Sequence, residues 1–262
     1  MKSLLFVLSF LLSTSLSAEQ CKLLRVGADT AWPPYSRTSG AGFAGVGPHI
    51  LNVSFGELEI PVSFVPINLA IEKEKRFKFQ NVDVIAATYR RRDWLDDLQF
   101  IEPAYAADRL GIALRKETNA TGITWSDLTG AVGGKAASFV QSASFEPFAK
   151  QYLFIRQESS ADDLLTFLRD SKYEYAVGSR YQIRYVSHET GLDSLLLLLS
   201  DPNEQDDVYL AFVKNSPCLP YAAYLKKRLR DWKEDGTLAR WLEEMMPKDA
   251  TPPEEVGLEA LG

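Results

Sequence analysis

The chain predicts an α/β fold with parallel-rich sheets flanked by helices, and three features of the sequence carry that expectation. Short apolar runs of strand length alternate with longer amphipathic stretches of helix length. Several runs, among them residues 82–87 and 110–114, are apolar almost throughout, as strands covered on both faces are. Turn-forming clusters separate them, the densest being Asp29-Thr30-Ala31-Trp32-Pro33-Pro34-Tyr35.

Residues 23–27 read as a short strand ending in that turn-rich stretch, 48–58 as a helix and 62–65 as a strand. Residues 69–79 form a charged amphipathic helix, and 82–87 and 110–114 are the two apolar strands. A polar linker at 116–124 leads to a second series, with strands at 131–134 and 175–177 around helices at 142–152 and 162–170. Residues 208–213 form a further strand, and 219–233 and 238–246 form helices separated by Asp235-Gly236. Residues 247–262 are Pro-rich, acidic and short of large apolar groups, so they read as a disordered tail.

The start of the chain has a different character. Lys2 precedes an apolar run at residues 4–12, followed by small and polar residues to Ala18, which is the pattern of a signal peptide over residues 1–18. The run is far short of the roughly 20 residues that span a bilayer, so the processed chain is expected to be soluble and periplasmic. The remainder is long enough for two modest lobes or one large α/β domain. A formal net charge of −6 argues against a nucleic-acid partner, which needs clustered Lys and Arg beyond a short run such as Arg90-Arg91-Arg92. In an exported chain, Cys21 and Cys218 read first as a disulfide, with two buried thiols as the competing reading. Metal is not expected: His49 and His188 are the only histidines, and neither lies at ligand spacing from a cysteine. No nucleophile elbow, phosphate-cradling glycine loop or other cofactor motif is present, and Asp96-Asp97 and Asp206-Asp207 look like solvated turns. No catalytic residue and no cofactor are therefore assigned.

Six segments in order resemble the periplasmic solute-binding proteins of the polar-amino-acid type, the family 3 extracellular receptors of ABC importers. They are Leu24-Arg25-Val26-Gly27-Ala28-Asp29 with Trp32-Pro33-Pro34-Tyr35; Val82-Asp83-Val84-Ile85-Ala86-Ala87-Thr88; Phe100-Ile101-Glu102-Pro103-Ala104-Tyr105; Gly111-Ile112-Ala113-Leu114; Trp125-Ser126-Asp127-Leu128-Thr129-Gly130; and Lys233-Glu234-Asp235-Gly236-Thr237-Leu238. The resemblance implies a two-lobed clamshell with two hinge crossovers. Lobe 1 would comprise residues 19–113 and 209–246 and lobe 2 residues 114–208, with both cysteines in lobe 1. Ligands of open α/β sheets bind beyond the carboxyl ends of strands, so the cleft between lobes is the expected site.

By that resemblance Trp32 is the stacking aromatic, Tyr35 and Asp29 flank it, and Thr88 and Ser138 offer hydroxyl and backbone groups. Two departures stand out. Trp94 occupies the place of the arginine that clamps a carboxylate, leaving Arg90, Arg91 or Arg92 as possible substitutes beside the reading of a solvated charge run. Ser179 occupies the place of the acid that pairs with an ammonium group, and Arg180 beside it would favour an anion. The implied function is a monomeric, non-enzymatic receptor for a small polar or anionic, amino-acid-like solute, delivering it to an inner-membrane ABC permease. A periplasmic sensory protein is the alternative, and a dehydratase-like enzyme on the same fold is a third reading.

Overall fold

The structure is a computed structural model and describes residues 21–67, 79, 81–117, 124–136, 139, 145–248 and 254–257. The expected signal peptide, most of the expected helix at 69–79, and Ser138 lie outside the described residues.

The first half of the chain forms β1 (Leu24–Asp29), β2 (Ala31–Trp32), β3 (Ser36–Ser39), β4 (Gly42–Ala44), α1 (Val46–Gly56), β5 (Val62–Ile67), β6 (Val84–Tyr89), β7 (Leu98–Phe100) and β8 (Ala106–Arg115). Then follow β9 (Val132–Ala136), α2 (Phe145–Tyr152), β10 (Phe154–Glu158), α3 (Ala161–Arg169), β11 (Tyr175–Ser179), α4 (Arg180–Glu189) and β12 (Leu196–Val213). Helices α5 (Ala222–Glu234) and α6 (Thr237–Glu244) and strand β13 (Glu254–Gly257) complete the described elements. This is the mixed α/β architecture expected from the alternating pattern.

One large sheet runs in the order β10-β9-β11-β8-β12-β6-β1-β5. Its two ends are parallel triples, β5-β1-β6 and β10-β9-β11. Between them β12 runs antiparallel to both β6 and β8, and β8 runs antiparallel to β11. Buried apolar side chains follow this division. One cluster draws on residues before Ala106 and after Asp207, from Leu24 and Val84 to Phe212 and Trp232. Two others draw chiefly on the middle of the chain, such as Leu164 and Leu198 in one and Phe145 and Tyr175 in the other. Strands β8 and β12 pass from the first cluster to the other two.

Local chemistry explains several of these elements. All six residues of β6 are buried, which suits an apolar strand hydrogen-bonded on both sides. Helix α1 starts close against it: a Cβ added to Gly47 would lie 2.0 Å from the Ala86 carbonyl oxygen, so only glycine fits. Helix α3 is capped by Ser160, whose Oγ accepts from the Asp163 N–H at 3.0 Å, and buries Leu164, Leu165 and Leu168 on one face. Cys21 and Cys218 are joined as a disulfide in the same cluster, tying the start of β1 to the approach to α5.

The structure differs from the sequence reading in several places. Strand β10 and helix α4 were not expected, β12 begins twelve residues before Val208, and β8 begins four residues before Leu110. Within the stretch read as a disordered tail, β13 pairs in parallel with Leu197–Ser200.

Candidate functional site

The carboxyl ends of β1 and β6, the first half of β8 and the end of β11 meet around one buried carboxylate. Asp108, on β8, is 2% exposed. One of its oxygens accepts from the Tyr89 hydroxyl at 2.7 Å, at the end of β6, and the other accepts from Ser179 Oγ at 2.8 Å, at the end of β11. Ser179 Oγ also caps α4 by accepting from the Gln182 N–H at 3.1 Å. The carboxylate thus joins the two parallel triples through hydroxyl donors, and among the described residues no cation is hydrogen-bonded to it.

Burial raises the pKa of Asp108 from 3.8 to about 6, because a charge loses its hydration there. Hydrogen bonds from Tyr89 and Ser179 and the dipole of the Tyr35 hydroxyl favour the ionised form but offset only part of that cost, and the charge of Asp206 adds to it. The phenols of Tyr35, Tyr89 and Tyr105 are pushed well above their usual value, by burial first and by the Asp108 charge second.

Aromatic rings enclose this carboxylate. Trp32 meets Tyr35 and Tyr89 edge to face, with centroids 5.0 and 4.8 Å apart. Tyr35 in turn meets Tyr105 at 6.4 Å and Tyr181 at 6.2 Å. The Tyr35 hydroxyl is buried without a hydrogen bond of regular geometry. The loop that carries Trp32 and Tyr35 is held by the Asp29 carboxylate, which accepts from the Ala31 N–H at 2.9 Å, and by the Asp29 carbonyl, which accepts from Ser36 Oγ at 2.7 Å. Gln182 Nε2 donates to the Ala31 carbonyl at 2.6 Å, so α4 closes against this loop.

The residues singled out from the sequence therefore separate into two groups. Trp32, Tyr35 and Ser179 come together around Asp108, with Asp29 shaping their loop and Thr88, fully buried beside Tyr89, donating to the Tyr89 carbonyl at 3.0 Å. The arginines do not join them. Arg90 is half-exposed, paired with Glu102 and stacked over Phe100 and Tyr209. Arg91 lies over the Trp94 ring, and Arg92 is exposed at the start of a short 3-10 turn. Trp94 is buried and packs on Phe79, a core role that leaves no guanidinium in its place. Arg180 stacks over Tyr181. Asp108 reaches Ser179 from β8, so a carboxylate stands beside the position where the resemblance implies an acid.

Asp108 itself was missed. It follows two alanines ahead of the apolar run and is the sole acid of β8, the only signal available. His49 packs edge-on against Trp241, and His188 Nδ1 lies 2.9 Å from Asp193, both away from this cluster. Among the described residues no group of three His, Cys, Asp or Glu could hold a metal ion, and no helix is long and apolar enough to cross a membrane.

No protein-family model matches the chain, and no curated protein sequence matches it. Solved structures share its fold. A substrate-binding protein of an ABC uptake transporter from Streptococcus pneumoniae with bound histidine is 17% identical, with a TM-score of 0.69 over 87% of this chain and 95% of that one. A histidine kinase sensor domain with similarity to periplasmic binding proteins is 18% identical, with a TM-score of 0.68 over 85% and 97%. An ancestral amino acid-binding protein, a precursor of cyclohexadienyl dehydratase, is 18% identical, with a TM-score of 0.66 over 86% and 96%. The chain has the periplasmic-binding-protein-like fold of these proteins.

Proposed function

We propose that the chain is an exported receptor that closes two lobes over a small amino-acid-like solute bearing an ammonium group, without performing chemistry on it. The lobes are residues 19–113 with 209–246 and residues 114–208. The observation that carries this reading is Asp108, a buried carboxylate held by hydroxyl donors from both parallel triples, with no cation among its described partners. A buried charge of this kind is costly alone and is stabilised by an opposite charge brought by a ligand. Trp32, Tyr35 and Tyr89 offer aromatic surface for the same cationic group, with Thr88 and Ser179 as polar neighbours. The presence of Asp108 shifts the reading from an anionic solute to an ammonium-bearing one.

An oxidising compartment is supported by the Cys21–Cys218 bridge and, together with the signal-peptide pattern, favours the periplasm. The transport version has a monomer delivering its solute to an inner-membrane ABC permease. A sensory receptor is the second reading, favoured by the likeness to the kinase sensor domain.

The test is thermal unfolding of the processed chain, refolded to remove carried-over ligand, against amino acids, amines, dicarboxylates and short peptides. A solute at 100 times its Kd stabilises by about 2.7 kcal/mol, raising Tm by roughly 5 to 10 °C for a chain of this size. A response to ammonium-bearing compounds supports the reading. A response confined to dicarboxylates, or none from folded protein, sinks it.

A further inference from the structure

The hairpin of β2 and β3 follows β1, and helix α4 follows β11, so the two belong to different parallel triples. Each is fixed to its own side. Ser36 Oγ donates to the Asp29 carbonyl at 2.7 Å, and the Val46 and Gly47 N–H groups donate to the Pro34 and Tyr35 carbonyls at 3.0 Å, which ties the hairpin to β1 and α1. Helix α4 buries Ile183, Tyr185 and Val186 in one cluster with Leu164 and Leu168 of α3.

Three contacts join these two pieces. Gln182, 2% exposed, donates from Nε2 to the Ala31 carbonyl at 2.6 Å. The Arg37 guanidinium lies over the Tyr185 ring, 5.3 Å from its centroid. Tyr35 meets Tyr181 edge to face at 6.2 Å, and Tyr181 packs against buried clusters on both sides.

We propose that these residues form a latch that closes the two lobes by contacts within the chain, so that the closed arrangement is populated before a solute enters. The latch presupposes the two lobes of the reading above and regulates the site between them. Each contact pairs a group of residues 31–37 with α4, so separating the lobes breaks all three and leaves the bonds within each side intact. A hydrogen bond between neutral groups shifts such an equilibrium about fivefold and a partly exposed cation–π contact about threefold, so the two together favour closure by about tenfold. The apparent Kd of a solute that binds the closed form is its intrinsic Kd divided by the closed fraction. Gln182 and Arg37 therefore set how tightly every solute is held, while the choice among solutes is left to the groups around Asp108.

The latch is tested by a distance measurement without solute. Spin labels are attached at Ser39→Cys, exposed on β3, and Asp162→Cys, exposed at the start of α3 beyond the end of β10, in the processed and refolded chain with Cys21–Cys218 intact. Pulsed electron paramagnetic resonance is expected to show a short-distance population in the parent. In the Gln182→Ala/Arg37→Ala double variant the ratio of long to short distances is expected to rise about tenfold. Gln182→Glu, which keeps the side-chain volume and turns an acceptor toward the Ala31 carbonyl, is expected to shift the ratio in the same direction. Long distances alone in the parent, or an unchanged distribution in both variants when thermal unfolding shows them folded, overturns the latch. Closure by this measure in a chain that answers no solute leaves the latch standing and sinks the solute reading. A solute response with identical distributions in parent and variants does the reverse.

Discussion

Replacing Asp108 with Asn removes a charge while keeping the shape and both contacts of the side chain. The amide oxygen can accept from the Tyr89 hydroxyl, and the amide N–H can donate to Ser179 Oγ. What disappears is a carboxylate whose pKa the fold raises from 3.8 to about 6. At about 1.4 kcal/mol per unit, the ionised form costs the folded chain about 3 kcal/mol relative to the unfolded one. The sign follows from proton binding: between roughly pH 4 and 6 the folded chain holds the proton more tightly, so stability falls as pH rises through that window. Above it the full cost is present. The Asn variant is therefore expected to be more stable than the parent by about 3 kcal/mol at pH 7.5, or roughly 6 to 12 °C in Tm. At pH 4 most of the difference disappears, leaving less than about 1 kcal/mol. Urea unfolding of both chains at the two pH values measures this double difference, in which other carboxylates cancel. The same variant loses affinity for ammonium-bearing solutes by about a hundredfold or more, as removal of one member of a buried ion pair does. An Asn variant less stable than the parent at pH 7.5, or an advantage that persists at pH 4, refutes the reasoning.

Other substitutions probe the remaining features. Reduction of Cys21–Cys218, which closes a loop with a sequence separation of 197, lowers stability by up to about 5 kcal/mol, read from urea unfolding with and without reductant. Trp32→Ala abolishes solute binding and also destabilises the fold by about 3 to 5 kcal/mol, because the ring is 4% exposed and packed on two tyrosines; calorimetry and thermal unfolding read the two effects. Gly47→Ala costs about 1 to 3 kcal/mol in thermal unfolding, since its Cβ would force α1 away from Ala86. Arg90→Ala leaves solute affinity within about twofold in calorimetry, as its partners are Glu102 and the Phe100 and Tyr209 rings, away from Asp108.

The elements legible in the sequence were those whose apolar residues are contiguous or periodic. Strand β6 is an unbroken buried run, and α3 shows its buried face at helical spacing, so both were read within two residues of their ends. Strand β10 escaped because it is an edge strand whose side chains are half-exposed, Phe154 among them at 68%. Helix α4 escaped because its buried face includes Gln182, Tyr185 and Ser187 and so lacks an apolar stripe. Of the residues gathered around Asp108, Trp32 and Tyr35 were legible from their own loop, at Trp32-Pro33-Pro34-Tyr35, whereas Thr88 and Ser179 came only through the resemblance. Asp108 gave no such sign: a buried acid interrupts the apolar pattern, and only the pairing of β8 with β11 carries it to Ser179. Asp108 and Ser179 are 71 residues apart, a distance no local pattern crosses.

Strand β8 also sends neighbouring side chains to opposite sides, Asp108 into the ring of tyrosines and Arg109 to the exposed side. Their assignments depend on register alone, because a slip of one residue turns every side chain of a strand over. Gly111 locks that register: a Cβ there would come within 2.9 Å of the Arg180 Cα, so neither Leu110 nor Ile112 can take its place against α4. For a descendant of this gene, the gain or loss of a single codon ahead of Asp108, compensated elsewhere in the strand, would trade carboxylate for guanidinium inside the aromatic ring. Charge preference in this scaffold can thus be inherited as a frame of alignment, with the residue types themselves left unchanged.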